Sequence, residues 1–468
     1  MRYTRRVLDW RVSSAFAAVV LALASGPIVG CSSSDEDSRR EVDRPDAESA
    51  DAESADVPDG GSSEPGNDAQ APRDAGPFDG AAPPIVCESS SCAMSLSTTR
   101  GLFTKFWGQY VGDPNEGFCA LLHDGSVSCW GANGSGQLGR GDEGVAVDSQ
   151  TPAPVVGLSN IVALDHTCAL DSSGAIWCWG TGPFLRDGKG TVSTERTPVK
   201  LPLPAATSMS VSFETGCAIV DGHLSCWGAN SSGQVAPTPS SRALPPTDIV
   251  LPPGAPLHNV VVGAATFVVR EDGTMVSWGA NPPLGRRSSL FPDPYPRAVD
   301  LTNIAWVDVA YQDACAITSG TGYCWGISPA TQYSDLQTPR RLGRALPEPV
   351  VTPEPIRQIA TTDSIGGEVD YVFVTRRSRW CACGVSGAVY CAGDNASGQV
   401  GDGTKNYAFE PVKVNLPRRA VEVKVTPTAT CALLTSGQVF CWGSNFNGQL
   451  GYGKPKVPSL VPQEVVFQ

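Results

Sequence analysis

Histidine is scarce in this 468-residue chain, and the four present, His123, His166, His223 and His258, are far apart. None has the H-x₃₋₅-H spacing of a zinc site. The chain also lacks a G-x-S-x-G elbow, an H-E-x-x-H pair and a phosphate-binding loop, which are the local signatures of common hydrolytic, metalloprotease and nucleotide chemistries. Asp142, Asp272 and Asp402 fall in or near loops without forming a calcium-loop ladder. We read the protein as a non-enzyme with no metal and no cofactor. A basic surplus is missing too: 47 acids against 34 lysines and arginines give −13, which leaves no electrostatic footprint for nucleic acid.

What is present begins with export. Arg2, Arg5, Arg6 and Arg11 precede the apolar stretch Ala15–Ala24, which Ser25, Gly26 and Pro27 interrupt. That stretch is shorter than the roughly 18 residues of a membrane span, and a basic start followed by a short apolar core describes a secretory signal. Ile28-Val29-Gly30-Cys31 resembles the lipobox of bacterial lipoproteins. The resemblance implies acylation of Cys31 after removal of residues 1–30, with Ser32 in the place that directs such proteins to the outer membrane. Residues 31–86 are dense in Asp, Glu, Ser, Ala, Pro and Gly, with Phe78 their single aromatic. They cannot bury enough apolar surface to offset chain entropy and read as a disordered acidic tether. Their 15 acids and four arginines leave −11, and the leader adds +3. Of the total −13, the body 87–468 therefore carries only −5.

The body is organised by its cysteines. Cys119-Ala-Leu…Gly125…Cys129-Trp130-Gly131 recurs at Cys168–Gly180, Cys217–Gly228, Cys315–Gly326 and Cys431–Gly443. Degenerate copies run from Phe267 to Gly279 and from Cys381 to Gly393. The tryptophan position falls at 130, 179, 227, 278, 325, 392 (alanine) and 442, so the steps are 49, 48, 51, 47, 67 and 50. The long step locates an insertion around Leu342–Gly367. Each copy reads as a β-hairpin whose two cysteines face each other. Cysteines nine apart then leave a two-residue turn, and the residues there are Asp221-Gly222 and Ser319-Gly320, a type I′ signal. Cysteines ten apart leave three residues, the last being Gly125, Gly174, Gly387 or Gly437, with Gly273 in the cysteine-free fourth copy.

Facing Cβ atoms on an antiparallel pair approach closely enough for a bridge after small adjustment. The pairs expected are Cys119–Cys129, Cys168–Cys178, Cys217–Cys226, Cys315–Cys324, Cys381–Cys391 and Cys431–Cys441, with a local Cys87–Cys92 loop. The fourth copy supports this, because Phe267 and Ser277 replace both cysteines together. Cys383 is left unpaired, and an exported chain meets the oxidising conditions that disulfides need.

An alternating strand precedes each hairpin, as in Asn160–Leu164 and Trp306–Val309. A polar turn, Ala132–Gly139, follows Trp130-Gly131, and Pro-Val elements such as Thr151–Val156 and Glu410-Pro411-Val412 close several copies. The run H-T-C-A-L…G-x-[VI]-x-C-W-G-x-N-x-x-G-Q-L-G resembles the regulator-of-chromosome-condensation repeat in its cysteine-containing bacterial variety, over about residues 95–468. That resemblance implies an all-β, seven-bladed propeller of four-stranded blades. Propellers must close their ring, and the spare strand Pro462–Phe467 is expected to join the blade begun by Phe103–Phe106 as a clasp.

The fixed tryptophans read as inter-blade packing, while Tyr110, Phe184 and Tyr295 lie off the repeat pattern as candidate binding aromatics. Arg376, Arg377 and Arg379, near Arg340, Arg341, Arg344 and Arg357, form the densest basic concentration and a candidate docking patch for an acidic partner. The function expected is a monomeric, lipid-anchored envelope module that grips an unidentified protein through its loops. A glycan-binding or glycan-processing propeller is the alternative, and as a hydrolase it would need paired carboxylates about 5–10 Å apart.

Overall fold

The computed structural model describes residues 81–87, 91–99, 103–106, 109–112, 115–141, 147–281, 283–310, 313–326, 344–362, 365–369, 372–376, 379–454 and 456–467. Cys31, the signal, the tether up to residue 80, Arg340, Arg341 and Arg377 lie outside them. All described residues belong to the unit Pro72–Gln468.

Seven four-stranded antiparallel sheets follow one another along the chain, each a meander, with a separate hairpin interposed in the first and the sixth. The first is built from Ala93–Thr99, Gly117–Leu122, Val127–Gly131 and Ser149–Pro154. The seventh is Ala420–Val425, Ala429–Leu434, Val439–Gly443 and Ser459–Glu464. The first strands of all seven sheets touch their neighbours in a closed circle, and the circle ends with Ala420–Val425 against Ala93–Thr99. The protein is therefore a seven-bladed β-propeller with its first strands around the axis.

The hairpin turns come from local chemistry. Asp221 and Gly222 have φ of 50° and 78°, Ser319 and Gly320 49° and 81°, the paired positive angles that type I′ turns demand. In the three-residue loops the positive angle falls on the glycine, for example 79° at Gly125 and 78° at Gly437. The cysteines then face each other, and all seven pairs are bridged, the six in hairpins with Cα atoms 4.0–4.1 Å apart. Such a set of bridges belongs to a fold that matures in an oxidising compartment. Cys383 is free and buried, and burial pushes its thiol up to about 12, which leaves it unreactive.

The core is divided among the blade junctions, with one apolar cluster at each. Six tryptophans fill six of these clusters at 0–1% exposure, and each donates its indole N–H to a carbonyl of the preceding blade's polar loop. Trp179 reaches Gln137 O at 2.9 Å, and Trp130 reaches back from the first blade to Gln449 O of the seventh at 3.0 Å.

The loop motif explains itself in the same terms. Asn133 Oδ1 accepts from Leu138 N, and Gln137 Oε1 accepts from Ser135 N. Gly136 holds φ of 71° where a Cβ would meet Arg196 at 2.9 Å. Where the motif is lost, its role persists: Pro183 and Pro283 supply the carbonyls for Trp227 and Trp325.

Two expectations are corrected. The C-terminal strand Ser459–Glu464 pairs with Val439–Gly443 of its own blade, not with Phe103–Phe106. Every blade has its own inner strand and its own fourth strand, so none is left over to exchange. Phe103–Phe106 instead pairs with Gln109–Gly112 in a separate hairpin. Phe184 is not an exposed binding aromatic; at 2% exposure it occupies the place of Leu138 in its blade's loop.

Candidate functional site

An inner strand has one edge paired within its blade and the other facing the axis. That free edge must find partners for its N–H and C=O groups. Side chains of the neighbouring inner strand provide them at matching positions. Asp165 Oδ2 accepts from Val211 N at 2.7 Å, Ser210 Oγ from Val262 N at 3.0 Å, and Asp308 Oδ2 from Thr361 N at 2.8 Å. Two residues earlier in the strand, Gln358 Oε1 accepts from Val423 N at 2.7 Å while Gln358 Nε2 donates to Val423 O. Glu422 Oε2 accepts from Leu96 N at 2.8 Å, which carries the pattern across the junction between the last and first blades. At the next junction Ser97 Oγ donates to His166 O at 2.9 Å.

The carboxylates that make these bonds meet a cation on the axis. Lys424 Nζ lies 3.4 Å from Glu422 and 5.5 Å from the Trp306 ring centre, so a seventh-blade side chain reaches a fifth-blade indole. Burial alone would lower the pKa of this ammonium, but Glu422, Asp308 and Asp165 outweigh it and the net shift is upward. The channel is thus occupied by an ion pair and an indole. Its carboxylates are committed to backbone bonds, an arrangement suited to holding blades together. Among the described residues no group of three or more His, Cys, Asp or Glu side chains is placed to hold a metal.

Alternation of strand direction within a blade puts two sets of loops on one face: those between first and second strands, and the polar loops between third and fourth. Hairpin tips and blade-to-blade connectors occupy the opposite face. Two departures from the repeat stand on the first face. The hairpin 103–112 lies between the first and second strands of blade one, and the hairpin 365–376 occupies the same place in blade six. Gln109–Gly112 lies against Ile365–Val369, so the two insertions meet although the seventh blade stands between their parent blades. The long step shows that the second insertion exists but not where it lies. Leu342–Gly367 holds the ordinary blade strands Arg344–Pro349 and Ile356–Thr361, and the inserted hairpin follows at 365–376 within the sixth blade. The first gave no signal in the tryptophan spacing because it precedes the first tryptophan.

The arginine patch divides. Arg376 ends the strand Val372–Arg376 of the inserted hairpin, and Arg377 lies outside the described residues. Arg379 is not a surface cation: it is 1% exposed and points into the junction between blades six and seven. Its guanidinium donates to Thr426 O, Ala429 O and Thr430 Oγ1, and burial brings its pKa down to about 10. Arg357 is likewise 5% exposed and donates to the Gly384, Val385 and Ala420 carbonyls. Of the candidate aromatics, Tyr295 is 48% exposed, and Tyr110 sits in the strand Gln109–Gly112 of the first inserted hairpin.

On the opposite face, Asp171 shapes a small polar cleft with Asn160, Ser173 and Trp177. Partial burial works against its ionisation, yet hydrogen bonds from Ser173 and Trp177 Nε1 bring its carboxyl down to about 2. A carboxyl depressed below its unfolded value adds stability above about pH 4 that disappears as pH falls toward 2. Asp171→Asn is therefore expected to flatten the acid limb of a pH–stability profile between pH 4 and 2, measured by urea titration.

Comparison with known proteins agrees with this architecture. The regulator of chromosome condensation (RCC1) repeat matches residues 124–170 and 386–433, and a second form of that repeat matches 428–449. The ultraviolet-B receptor UVR8 of Arabidopsis thaliana is 29% identical over 328 residues, covering 66% of this chain and 70% of the receptor. The human E3 ubiquitin-protein ligase HERC2 is 27% identical over 349 residues, 70% of this chain but only 7% of the ligase. Among solved structures, Prp20p from Saccharomyces cerevisiae, described with its binding to Gsp1p and histones, superimposes with a TM-score of 0.58 at 17% identity. That match covers 73% of this chain and 86% of Prp20p, and at this identity the likeness is one of fold.

Proposed function

We propose, because the chain belongs to the RCC1-type repeat family, that its propeller is a rigid platform on which another protein docks. The observation that carries this reading is the meeting of the two inserted hairpins, 103–112 and 365–376, on one face. Insertions that leave the repeat intact and converge on one face are where a rigid scaffold gains a specific partner. The buried tryptophans and the occupied channel serve the scaffold, which leaves recognition to the loops.

The setting we propose is the cell envelope. Residues 1–30 are a signal, Cys31 carries acyl chains, 31–86 form the acidic tether and 87–468 the propeller. The basic and apolar leader, the lipobox-like Ile28–Cys31 and the composition of 31–86 support it. Seven disulfides agree with an exported chain. A monomer on an outer membrane, periplasmic or surface-facing, completes the proposal.

The test is affinity capture of envelope proteins on the oxidised chain, compared with a variant whose 365–376 hairpin is replaced by a two-residue turn. One protein is expected to be retained by the parent and reduced on the order of tenfold by the excision, a loss of about 1.4 kcal/mol. Retention that ignores the excision, or no retained protein, overturns the reading.

A further inference from the structure

The seventh blade brings exposed lysines and apolar side chains together along its rim. Between Trp442 and Gln463 the chain holds Lys454 and Lys456 and no acid, and the exposed Glu464 that follows accepts a hydrogen bond from Gln438. The corresponding stretch of the first blade contains Asp142, Glu143 and Asp148, and that of the sixth contains Asp394, Asp402 and Glu410. Apolar side chains stand open along the same rim: Phe446 is 59% exposed, Val457 50%, Val461 46% and Val466 50%. Both lysines are exposed and lie against aromatic rings, Lys456 5.1 Å from the Phe446 centre and Lys454 5.7 Å from that of Tyr452. Exposed valines and a phenylalanine cost solubility when they serve nothing. Paired with ammonium groups, they match the layered chemistry of a bilayer surface, apolar below and anionic above.

The place where the N-terminal segment joins the propeller lies on the same blade. Val86 N donates to Thr435 O, Ala93 N donates to Gly437 O, and a Cβ on Gly437 would meet Cys92 Sγ at 2.3 Å. The segment leading from the N-terminus thus arrives at one end of the seventh blade, and Phe446 stands in the loop at the other end. Val86 is itself 66% exposed.

We propose that the rim of the seventh blade, formed by Phe446, Val457, Val461 and Val466 with Lys454 and Lys456, rests on an anionic lipid surface. The propeller then stands on edge, and both faces, including the one bearing the inserted hairpins, remain open to protein partners. Two lysines and a few apolar side chains give weak binding alone. Joined to the acyl anchor proposed above, the rim would serve as the second of the two signals that stable membrane attachment takes. The rim does not depend on the Cys31 reading, and its test removes that residue's contribution.

The full chain with Cys31→Ser, purified without acylation, is floated with vesicles of phosphatidylglycerol or of phosphatidylcholine at low salt. Binding to phosphatidylglycerol alone is expected. Lys454→Glu with Lys456→Glu should reduce it by more than tenfold, from about fivefold per lysine, and Phe446→Ser with Val461→Ser should reduce it several-fold. Lys189→Glu with Lys200→Glu, an equal charge change on the second blade, should leave it intact. All these positions are solvent-facing, and an unchanged melting temperature confirms folding. No binding, binding to both vesicle types, or equal losses from the second-blade pair and the rim pair overturns the proposal.

Discussion

Trp130→Ala is expected to lower the stability of the propeller by about 3–5 kcal/mol, the range for removing a buried tryptophan. The effect is greatest here because Trp130 lies where the last and first blades meet. Its ring stacks on Phe118 at 6.1 Å, meets Phe467 edge-on at 6.0 Å, and its Nε1 donates to Gln449 O. No exchanged strand reinforces this junction; main-chain bonds such as Ala93 N to Gly437 O hold it together with side chains: Trp130, Glu422 on Leu96 N, and Glu116 accepting from Thr426 and Thr428 hydroxyls. A urea titration should show a lower midpoint with an unchanged slope if the ring still unfolds as one unit. Trp130→Phe keeps most of the apolar contact and loses the hydrogen bond, so its cost should be nearer 1 kcal/mol. Equal losses from the alanine and phenylalanine variants would show that the bond to Gln449, not the packing, closes the ring.

The second large effect is expected at Arg379. Replacement by Ala leaves the Thr426 carbonyl and the Thr430 hydroxyl without this donor, removes one of several donors to Ala429 O, and opens a cavity among buried residues. Each buried acceptor left unmade costs about 1–3 kcal/mol. Relief from burying a cation without a hydrogen-bonded carboxylate offsets part of this, and the net expectation is a loss of about 3 kcal/mol. The measurement is the urea midpoint, set beside partner capture at a temperature where the variant is folded. Stability should fall and capture should persist. The reverse result, lost capture at full stability, would return Arg379 to the docking patch where its neighbours in sequence seemed to place it.

That misplacement shows where sequence reasoning stops. The hairpins were legible because a two-residue turn with two positive φ angles tolerates few residues, and Asp221-Gly222 and Ser319-Gly320 meet the demand. The bridges followed from the hairpins, since turn length fixes which residues face each other. Arg376 and Arg379 are three apart in sequence, yet one ends an inserted hairpin and the other begins a blade strand; a run of charge carries no information about that boundary. Phe184 was misread for a related reason. Its loop is shorter and has Pro183-Phe184 where the first blade has Gln137-Leu138, so the apolar position hid under a different residue. The axial residues Asp165, Asp308, Glu422 and Lys424 were passed over, although a recurrent signal existed. Polar side chains recur at alternate positions in the strand before each hairpin, where a strand covered on both faces would be apolar.

Contiguous blades also bear on how such a chain could be cut and rejoined. In a ring clasped by strand exchange the chain ends divide one sheet between them. Here each sheet is complete within its own stretch of sequence, and the ends of the propeller, near Val86 and Phe467, both pack at the junction of blades seven and one. Joining those ends and reopening the chain at another connector, such as Gly157–Asn160, would give a circular permutant that keeps every sheet and every disulfide within one polypeptide. The order of blades is therefore a matter of ancestry as much as of mechanics, and whole blades are the natural units by which such a gene could be shuffled.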